Sequence, residues 1–550
     1  MDSTSRQDRD AAPASDLIRR IAELSEIGIA LSQEKNIDRL LESILLAAKQ
    51  ITNADGGTLY RRHAATKDTL NFEIIRTDSL GIAMGGTTGT QVPFAPVQLR
   101  NPDGKENTSM VVAYSVLKDC TVAIADAYQE EGFDFSGTKA FDQRTGYRSQ
   151  SFLTVPMKNH EGEIIGVLQL INAKDPATGK IVPFTETDER LAQSLASQAA
   201  VALTNRLLMM QLENLFESFI KLLNEAIDEK SAYTGGHCHR VPILTMLLAE
   251  AVNQTQQGPL GSWNMTDPDR YELKIAALLH DCGKVTTPVH VVDKATKLQT
   301  IYDRIDLLDT RFEVIKRDAE IALLRAKAEA PDDAKTLEEA HREKLRGIED
   351  DRWFLRICNV GSEAMQPGAA ERVQAIARKY RWKNWRGEDV DFLSENEVEN
   401  LTIPFGTLTQ AERRIINRHV EVSIRMLEAL PWPKHLRNVP EFAGGHHERM
   451  DGKGYPRGLK RDEMSVQARI MGIADIFEAL TAKDRPYKAG KTLTESLNIL
   501  GLMRLNGHID PDLFDIFVRE RVYERYAKEF MDPKQIDAVD VKKIPGYTGE

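Results

Sequence analysis

Residues Gly444–Leu459, GGHHERMDGKGYPRGL, decide how the second half of the chain is read. His446 and His447 are followed at once by Glu448 and Arg449, so imidazole, carboxylate and guanidinium groups occupy consecutive positions. Behind them Asp451-Gly452-Lys453-Gly454-Tyr455-Pro456 sets two glycines and a proline in a short run, which predicts a tight, preset loop beside those groups. Taken alone, a His-His pair reads first as a surface turn beside core or solvated histidines. Here it has company.

The run Lys274–Lys284, KIAALLHDCGK, is an apolar helical stretch that ends in His280-Asp281, with Gly283 as a stop signal. His237 in YTGGHCHRV, His419 in INRHVEVS and Asp475 in RIMGIADIFEAL complete a set of five histidines and two aspartates. Imidazole and carboxylate without thiolate form the ligand set of iron, manganese or zinc, and suggest two-metal hydrolysis.

The combination of His280-Asp281 with His446-His447-Glu448-Arg449 and Asp451–Pro456 resembles the HD-GYP family, a branch of the HD phosphohydrolases that degrades cyclic di-GMP. The resemblance runs from Glu225 to about Leu505 and includes Arg485-Pro486-Tyr487-Lys488. It implies a phosphodiesterase yielding linear pGpG or GMP. His237, His280, Asp281, His419, His446, His447 and Asp475 would hold two divalent metal ions, iron or manganese ahead of zinc, with Asp281 bridging them. Lys284 would neutralise a phosphate oxygen, and Arg449, Tyr455 and Arg485 would contact substrate. Where many relatives carry a third-metal glutamate this chain has Tyr233, which favours two metals over three. The Gly454-Tyr455-Pro456 loop is also a candidate contact for a GGDEF-type cyclase. Two alternatives stay open: a catalytically silent cyclic di-GMP receptor or scaffold, and hydrolysis of a different cyclic dinucleotide.

With 550 residues the chain is too long for one core. A net charge of -11 leaves no basic excess for a nucleic-acid backbone, so DNA is not an expected partner. The four cysteines show no C-x-x-C spacing, which argues against both a disulfide framework and a zinc ribbon. The opening residues lack a basic-then-apolar signal pattern, and no apolar run approaches the roughly 18 to 20 residues of a membrane helix. A cytoplasmic protein is the expectation.

In the first half, residues 16–33 and 37–51 show helical periodicity. GGTLYRR, LNFEIIRT and TSMVVAYSVL then read as antiparallel strands, followed by two strands around Asn159-His160-Glu161-Gly162 and a helix from Thr187. Residues 36–205 resemble a GAF domain. Some GAF domains bind cyclic nucleotides through a set of residues matched here by Phe184 and Asp188-Glu189, with Lys174 displaced by one place and Ala123 where an asparagine is usual. That resemblance implies a small ligand of unknown identity or a dimerising role.

Residues 186–229 lack glycine and proline, and Leu195, Ala199, Ala202, Leu208, Leu212 and Leu215 return on one broad face without strict heptads. The stretch is either one helix packing on each domain or a parallel dimer helix, so a homodimer through the GAF domain and this helix is expected. A charge-dense insertion at about 300–407 predicts a helical hairpin turning at Ala330-Pro331-Asp332-Asp333, with Tyr380, Trp382 and Trp385 packed at its base. The whole reads as a multidomain chain: a disordered tail (1–15), an α+β GAF sensory domain with a leading helix (16–205), a helical linker (206–228), an all-α HD-GYP domain carrying the insertion (215–525) and a C-terminal tail (526–550).

Overall fold

The computed structural model describes residues 4–63, 66–231, 236–361, 364–483 and 490–549. They divide into two compact units, 1–215 and 216–550.

The first unit opens with helices α1 (Thr4–Gln33) and α2 (Ile37–Ile51), the second capped by Asn36, whose side chain accepts from the Arg39 amide at 3.0 Å. Strands β1 (Ala54–Arg62), β2 (Thr69–Thr77), β3 (Ile82–Gly85) and β4 (Val97–Gln98) follow, then α3 (Val111–Lys118), β5 (Val122–Ile124), α4 (Ser136–Thr145), β6 (Phe152–Lys158), β7 (Ile164–Lys174), β8 (Ile181–Val182) and the long helix α5 (Glu186–Lys230). The strands form an antiparallel sheet of order β3-β2-β1-β7-β6-β5, with β4 on β2 and β8 on β7. Period-two alternation gives the sheet two different faces. Leu59, Ile74, Leu153, Val155, Leu168 and Leu170 form one face and pack with α1, α2 and the first half of α5. The opposite face carries Tyr60, Val167, Phe152 and Gln169 and is partly covered by α3.

Two expectations are corrected in this unit. Thr108–Leu117 is not a strand: Val112, Ala113 and Val116 are buried together on one face of α3, so helical packing on the sheet overrode the β-branched composition. Residues 1–15 are not a disordered tail from Thr4 onward, where α1 begins in a stretch carrying Arg6, Arg9, Ala11, Ala12 and Ala14.

The second unit contains α6 (His237–Gln254), α7 (Asp267–Leu279), α8 (Val289–Val292), α9 (Ile305–Glu329), α10 (Ala334–Asn359), α11 (Ala369–Lys379), the strands β9 (Arg381–Lys383) and β10 (Asp389–Asp391), α12 (Glu395–Leu401), α13 (Gln410–Glu428), α14 (Val439–Gly444), α15 (Val466–Thr481), α16 (Leu493–Leu505), α17 (Pro511–Arg519) and α18 (Val522–Phe530). Its main core joins α6, α7 and α15 through Leu244, Leu248, Leu273, Ile470 and Phe477. The insertion does turn at Pro331–Asp333, and α9 and α10 are tied by Lys316–Glu349 and Arg352–Asp309 ion pairs. It has its own core of Leu308, Phe312, Ile348, Val373, Ile376 and Phe392. Three details differ from expectation. The helical region includes the β9-β10 hairpin, whose turn places Trp385 86% exposed while Tyr380 is buried against Phe392. Residues 526–550 are no loose tail, because Met531 and Ile544 are buried in the main core. Among the described residues no helix is long and apolar enough to cross a membrane.

Candidate metal centre

Five helices of the second unit, α6, α7, α13, α14 and α15, converge on one buried cluster. A capping box between Thr266 and Asp269 starts α7, and the helix ends where His280 and Asp281 are both buried. Gly283 follows for a steric reason stronger than helix termination. A Cβ there would lie 2.0 Å from the His419 carbonyl oxygen, and its amide donates to Ser423 Oγ at 2.9 Å. This close approach of the turn to α13 brings His419 Nε2 to 3.2 Å from Asp281 Oδ1. The other oxygen of Asp281 faces elsewhere: Oδ2 is 3.1 Å from His237 Nε2 and 3.2 Å from His280 Nε2. Asp475, in the middle of α15, lies 3.2 Å from His237 Nε2 through Oδ1 and 3.8 Å from His447 Nδ1 through Oδ2. His446 completes the set, its ring centroid 5.0 Å from that of His280.

All seven sequence-predicted metal ligands are therefore brought together. Ligand atoms of His419, His446 and His447, of His237, His280 and Asp475, and of His280, Asp281 and His446 each lie within 4.8 Å of one another. The donor set fits a cation on three grounds. His280, His419 and His446 each direct Nδ1 at the carbonyl three residues earlier (Ala277, Ile416 and Ala443, at 2.7, 2.5 and 2.6 Å), which fixes Nδ1–H and leaves the Nε2 lone pair facing inward. Asp281 Oδ1, His419 Nε2 and His446 Nε2 are buried without a hydrogen-bond partner, an arrangement that is costly unless something is bound. Finally, burial, reinforced by His280, pushes His446 down to about 4, and burial with His446 beside it pushes His447 well below the ordinary imidazole range. Both rings are thereby kept neutral, as ligation requires. Burial works to raise Asp281, yet Lys284 and His280 hold it well below the ordinary carboxylate range.

Sequence reasoning missed Glu478, one helical turn after Asp475. Fully buried, it meets His237 Nδ1 at 2.5 Å and accepts from Arg240 Nε at 2.7 Å, so it orients His237 from behind. Its i,i+3 spacing from Asp475 was the available signal.

The remaining predicted residues divide. Lys284 is at the centre, its ammonium donating to Asp281 Oδ2 at 2.5 Å. Tyr455 stacks on His447 with centroids 4.9 Å apart, and its burial raises the phenol. Arg449 instead forms a two-pronged pair with Asp451 at 3.0 and 2.8 Å within its own loop. Arg485 and Tyr233 lie outside the described residues. The loop itself is held by Glu448, which accepts from the Arg457 and Leu459 amides at 2.7 and 2.9 Å. Gly454 is required where the chain doubles back, since a Cβ would come 2.4 Å from the Arg449 nitrogen.

Comparison with known proteins matches residues 36–203 to the GAF domain and residues 234–378 and 364–513 to HD domains. Similar proteins include the 3'3'-cGAMP-specific phosphodiesterase 1 of Vibrio cholerae, 40% identical over 114 residues, which are 21% of this chain and 26% of that protein. A cyclic di-GMP phosphodiesterase of Pseudomonas aeruginosa is 38% identical over 114 residues, 21% of this chain and 26% of the relative. A cyclic di-GMP phosphodiesterase of Thermotoga maritima is 35% identical over 134 residues, 24% and 35% of the two chains. The chain thus spans between 26% and 35% of the length of these relatives. The matches place a GAF domain in the first half of the chain and HD domains in the second.

Proposed function

We propose that the chain is a metal-dependent phosphodiesterase that hydrolyses cyclic di-GMP to linear pGpG, GMP or both, under the control of its GAF domain. The observation that carries this reading is the cluster of buried imidazole and carboxylate donors with unpartnered inward-facing atoms. Two divalent cations, iron or manganese ahead of zinc, would supply Lewis acidity toward phosphate oxygens and lower the pKa of a water molecule. His237, His280, Asp281, His419, His446, His447 and Asp475 would hold them. Asp281 is the bridging candidate because its two oxygens face different histidines.

The rest of the chemistry belongs to the chain. The Lys284 ammonium, fixed by Asp281, holds positive charge beside the cluster, where it would offset the charge of a phosphodiester in the transition state. Glu478 and the three carbonyl anchors keep the rings oriented without reorganisation. Tyr455, stacked on the partly exposed His447, would flank a guanine or its ribose. Arg449, committed to Asp451, braces the loop rather than clamping phosphate, and Arg485 remains a substrate-contact candidate on its sequence context alone.

For partners, we read a homodimer through the GAF domain and α5, a small ligand in the GAF domain, and the Gly454-Tyr455-Pro456 loop as the contact for a GGDEF-type cyclase. The dimer reading is supported by α5, where Leu208, Leu212, Leu215, Phe219 and Leu222 are exposed at alternating four- and three-residue spacing.

A second reading, hydrolysis of a mixed cyclic dinucleotide, is favoured by the similarity to a 3'3'-cGAMP-specific enzyme. Metal analysis of anaerobically purified chain, with chromatography of products from cyclic di-GMP and from 3'3'-cGAMP, tests both. Faster turnover of cyclic di-GMP supports the first. Binding without any product would leave a silent receptor.

A further inference from the structure

The GAF domain has a half-open cavity of about 1030 Å³ on the sheet face away from its main core. This is at the upper end of the roughly 300 to 1,000 Å³ typical of small-molecule sites. None of the residues through which its sequence resembles nucleotide-binding GAF domains lines the cavity. Phe184 is buried in the core on the opposite face, Asp188 is bound by Arg20 and Thr185, Lys174 is bound to Asp55, and Ala123 sits on β5.

The lining describes a different ligand. Tyr60, Phe72 and Phe94 form a continuous aromatic wall, with centroids 4.7 and 5.4 Å apart, and Phe135, Phe141 and Phe152 stand among the other liners. Three polar side chains of the lining, Tyr60, Gln169 and Asn107, are already engaged. Tyr60 Oη donates to Gln169 Oε1 and Gln169 Nε2 donates to Thr154 Oγ1, both at 3.2 Å. Asn107 Nδ2 donates to the Gln98 carbonyl at 2.8 Å, and its Oδ1 accepts from Ser109. A nucleobase edge entering here would find few free partners, and each unpaired polar atom would weigh against it. The rim carries charge: Arg100 and Arg144 against the single carboxylate of Asp134, which accepts from the Ser136 amide at 2.8 Å. The Arg144 guanidinium has no hydrogen bond or ion pair among the described residues.

We propose that this cavity binds an organic anion with an aromatic, hydrogen-bond-poor body, its rings against Tyr60, Phe72 and Phe94 and its charge at Arg144. The idea deepens the ligand role given above to the GAF domain and stands apart from the phosphodiesterase chemistry. Calorimetric titration of the full chain with anilinonaphthalene sulfonate, neutral phenylnaphthylamine and cyclic GMP tests it. Expected are one sulfonate site per chain, weaker phenylnaphthylamine binding and no cyclic GMP binding. Arg144→Gln should weaken the sulfonate by about tenfold and leave the neutral compound unchanged, about 1.4 kcal/mol of lost charge pairing. Thr138→Trp, a half-buried liner on α4, should block both aromatic probes by filling the space. An unchanged thermal melt shows that each variant is folded. Equal sulfonate affinity in wild type and Arg144→Gln, or tighter binding of cyclic GMP than of the sulfonate, overturns the ligand class while leaving a GAF ligand in place. If no probe binds, or if Thr138→Trp binds both as wild type does, the cavity is not the site and the ligand role falls with it. Neither outcome touches the metal centre.

Discussion

Glu478 concentrates what single residues do in this molecule. Among the described residues its hydrogen bond to the predicted ligands goes to His237, and it acts by fixing that ring while itself held by Arg240. Burial works to raise its pKa, but His237 and Arg240 hold it down to about 2, so it stays ionised throughout the working range. Glu478→Gln should therefore lower metal affinity by about 10- to 100-fold, the usual cost of losing such an outer partner. Metal titration of the chelator-stripped chain measures this, and unchanged affinity would remove the orienting role. Asp281→Ala should go further, abolishing both metal retention and turnover with the far-ultraviolet circular dichroism preserved, because the apolar face of α7 is untouched. Retained turnover above a few per cent of wild type would count against the bridging assignment.

At the scale of elements, the centre depends on how closely the turn after α7 approaches α13. Gly283→Ala places a methyl 2.0 Å from the His419 carbonyl oxygen, so the two elements must part. A loss of about 1 to 3 kcal/mol is expected, as for overpacked cores, accompanied by weaker metal binding. Denaturant unfolding and metal titration should move together, and a neutral effect on both would show that the contact is slack. Asp510 gives the second case. It is buried, accepts from Arg461 at 2.9 Å and from Arg469, and caps α17 through the Asp512 and Leu513 amides at 2.9 and 3.1 Å. Burial opposes its charge, but the arginines and the capping amides keep its pKa below the ordinary 3.8. A carboxylate with a depressed folded pKa adds stability that is complete above the unfolded value and is lost as pH falls through the folded one. Asp510→Asn should thus be less stable near neutrality, by about 3 kcal/mol with two arginines left short of a charge. It should also lose less further stability than wild type below about pH 4. Parallel stability curves for the two proteins through that acid window would refute the linkage.

For the whole molecule, each unit has its own core, one built on the antiparallel sheet and the other on α6, α7 and α15. Residues 216–550 should accordingly fold and hold metal without the first unit. Their turnover should differ from that of the full chain, with a coupling of roughly 5- to 150-fold typical of such control. A third protein, with an unrelated coiled coil replacing residues 1–205, separates regulation from dimerisation. Equal rates in all three at equal metal occupancy would defeat a regulatory role for the unliganded GAF domain.

The histidines and aspartates that gather in the buried cluster were legible in the sequence, because His-Asp and His-His pairs beside helix ends and glycine-proline loops are local signals. The turn at Pro331–Asp333 and the continuous α5 were legible for the same reason: breakers, or their absence, act on neighbouring residues. What required the tertiary structure was everything set by long-range packing. Glu478 resembles any helical glutamate until α6 places His237 against it. Arg449 stood in a motif of reactive groups, yet its partner is the nearby Asp451. Thr108–Leu117 has strand composition but is buried as a helix because the sheet offers α3 a surface. Met531 and Ile544 sit in a polar stretch, and only the main core shows where they are buried. The sequence specifies which groups can bind a cation; the convergence of Nε2 and carboxylate atoms is decided by how five helices pack, since no local pattern encodes distances between residues remote in the chain.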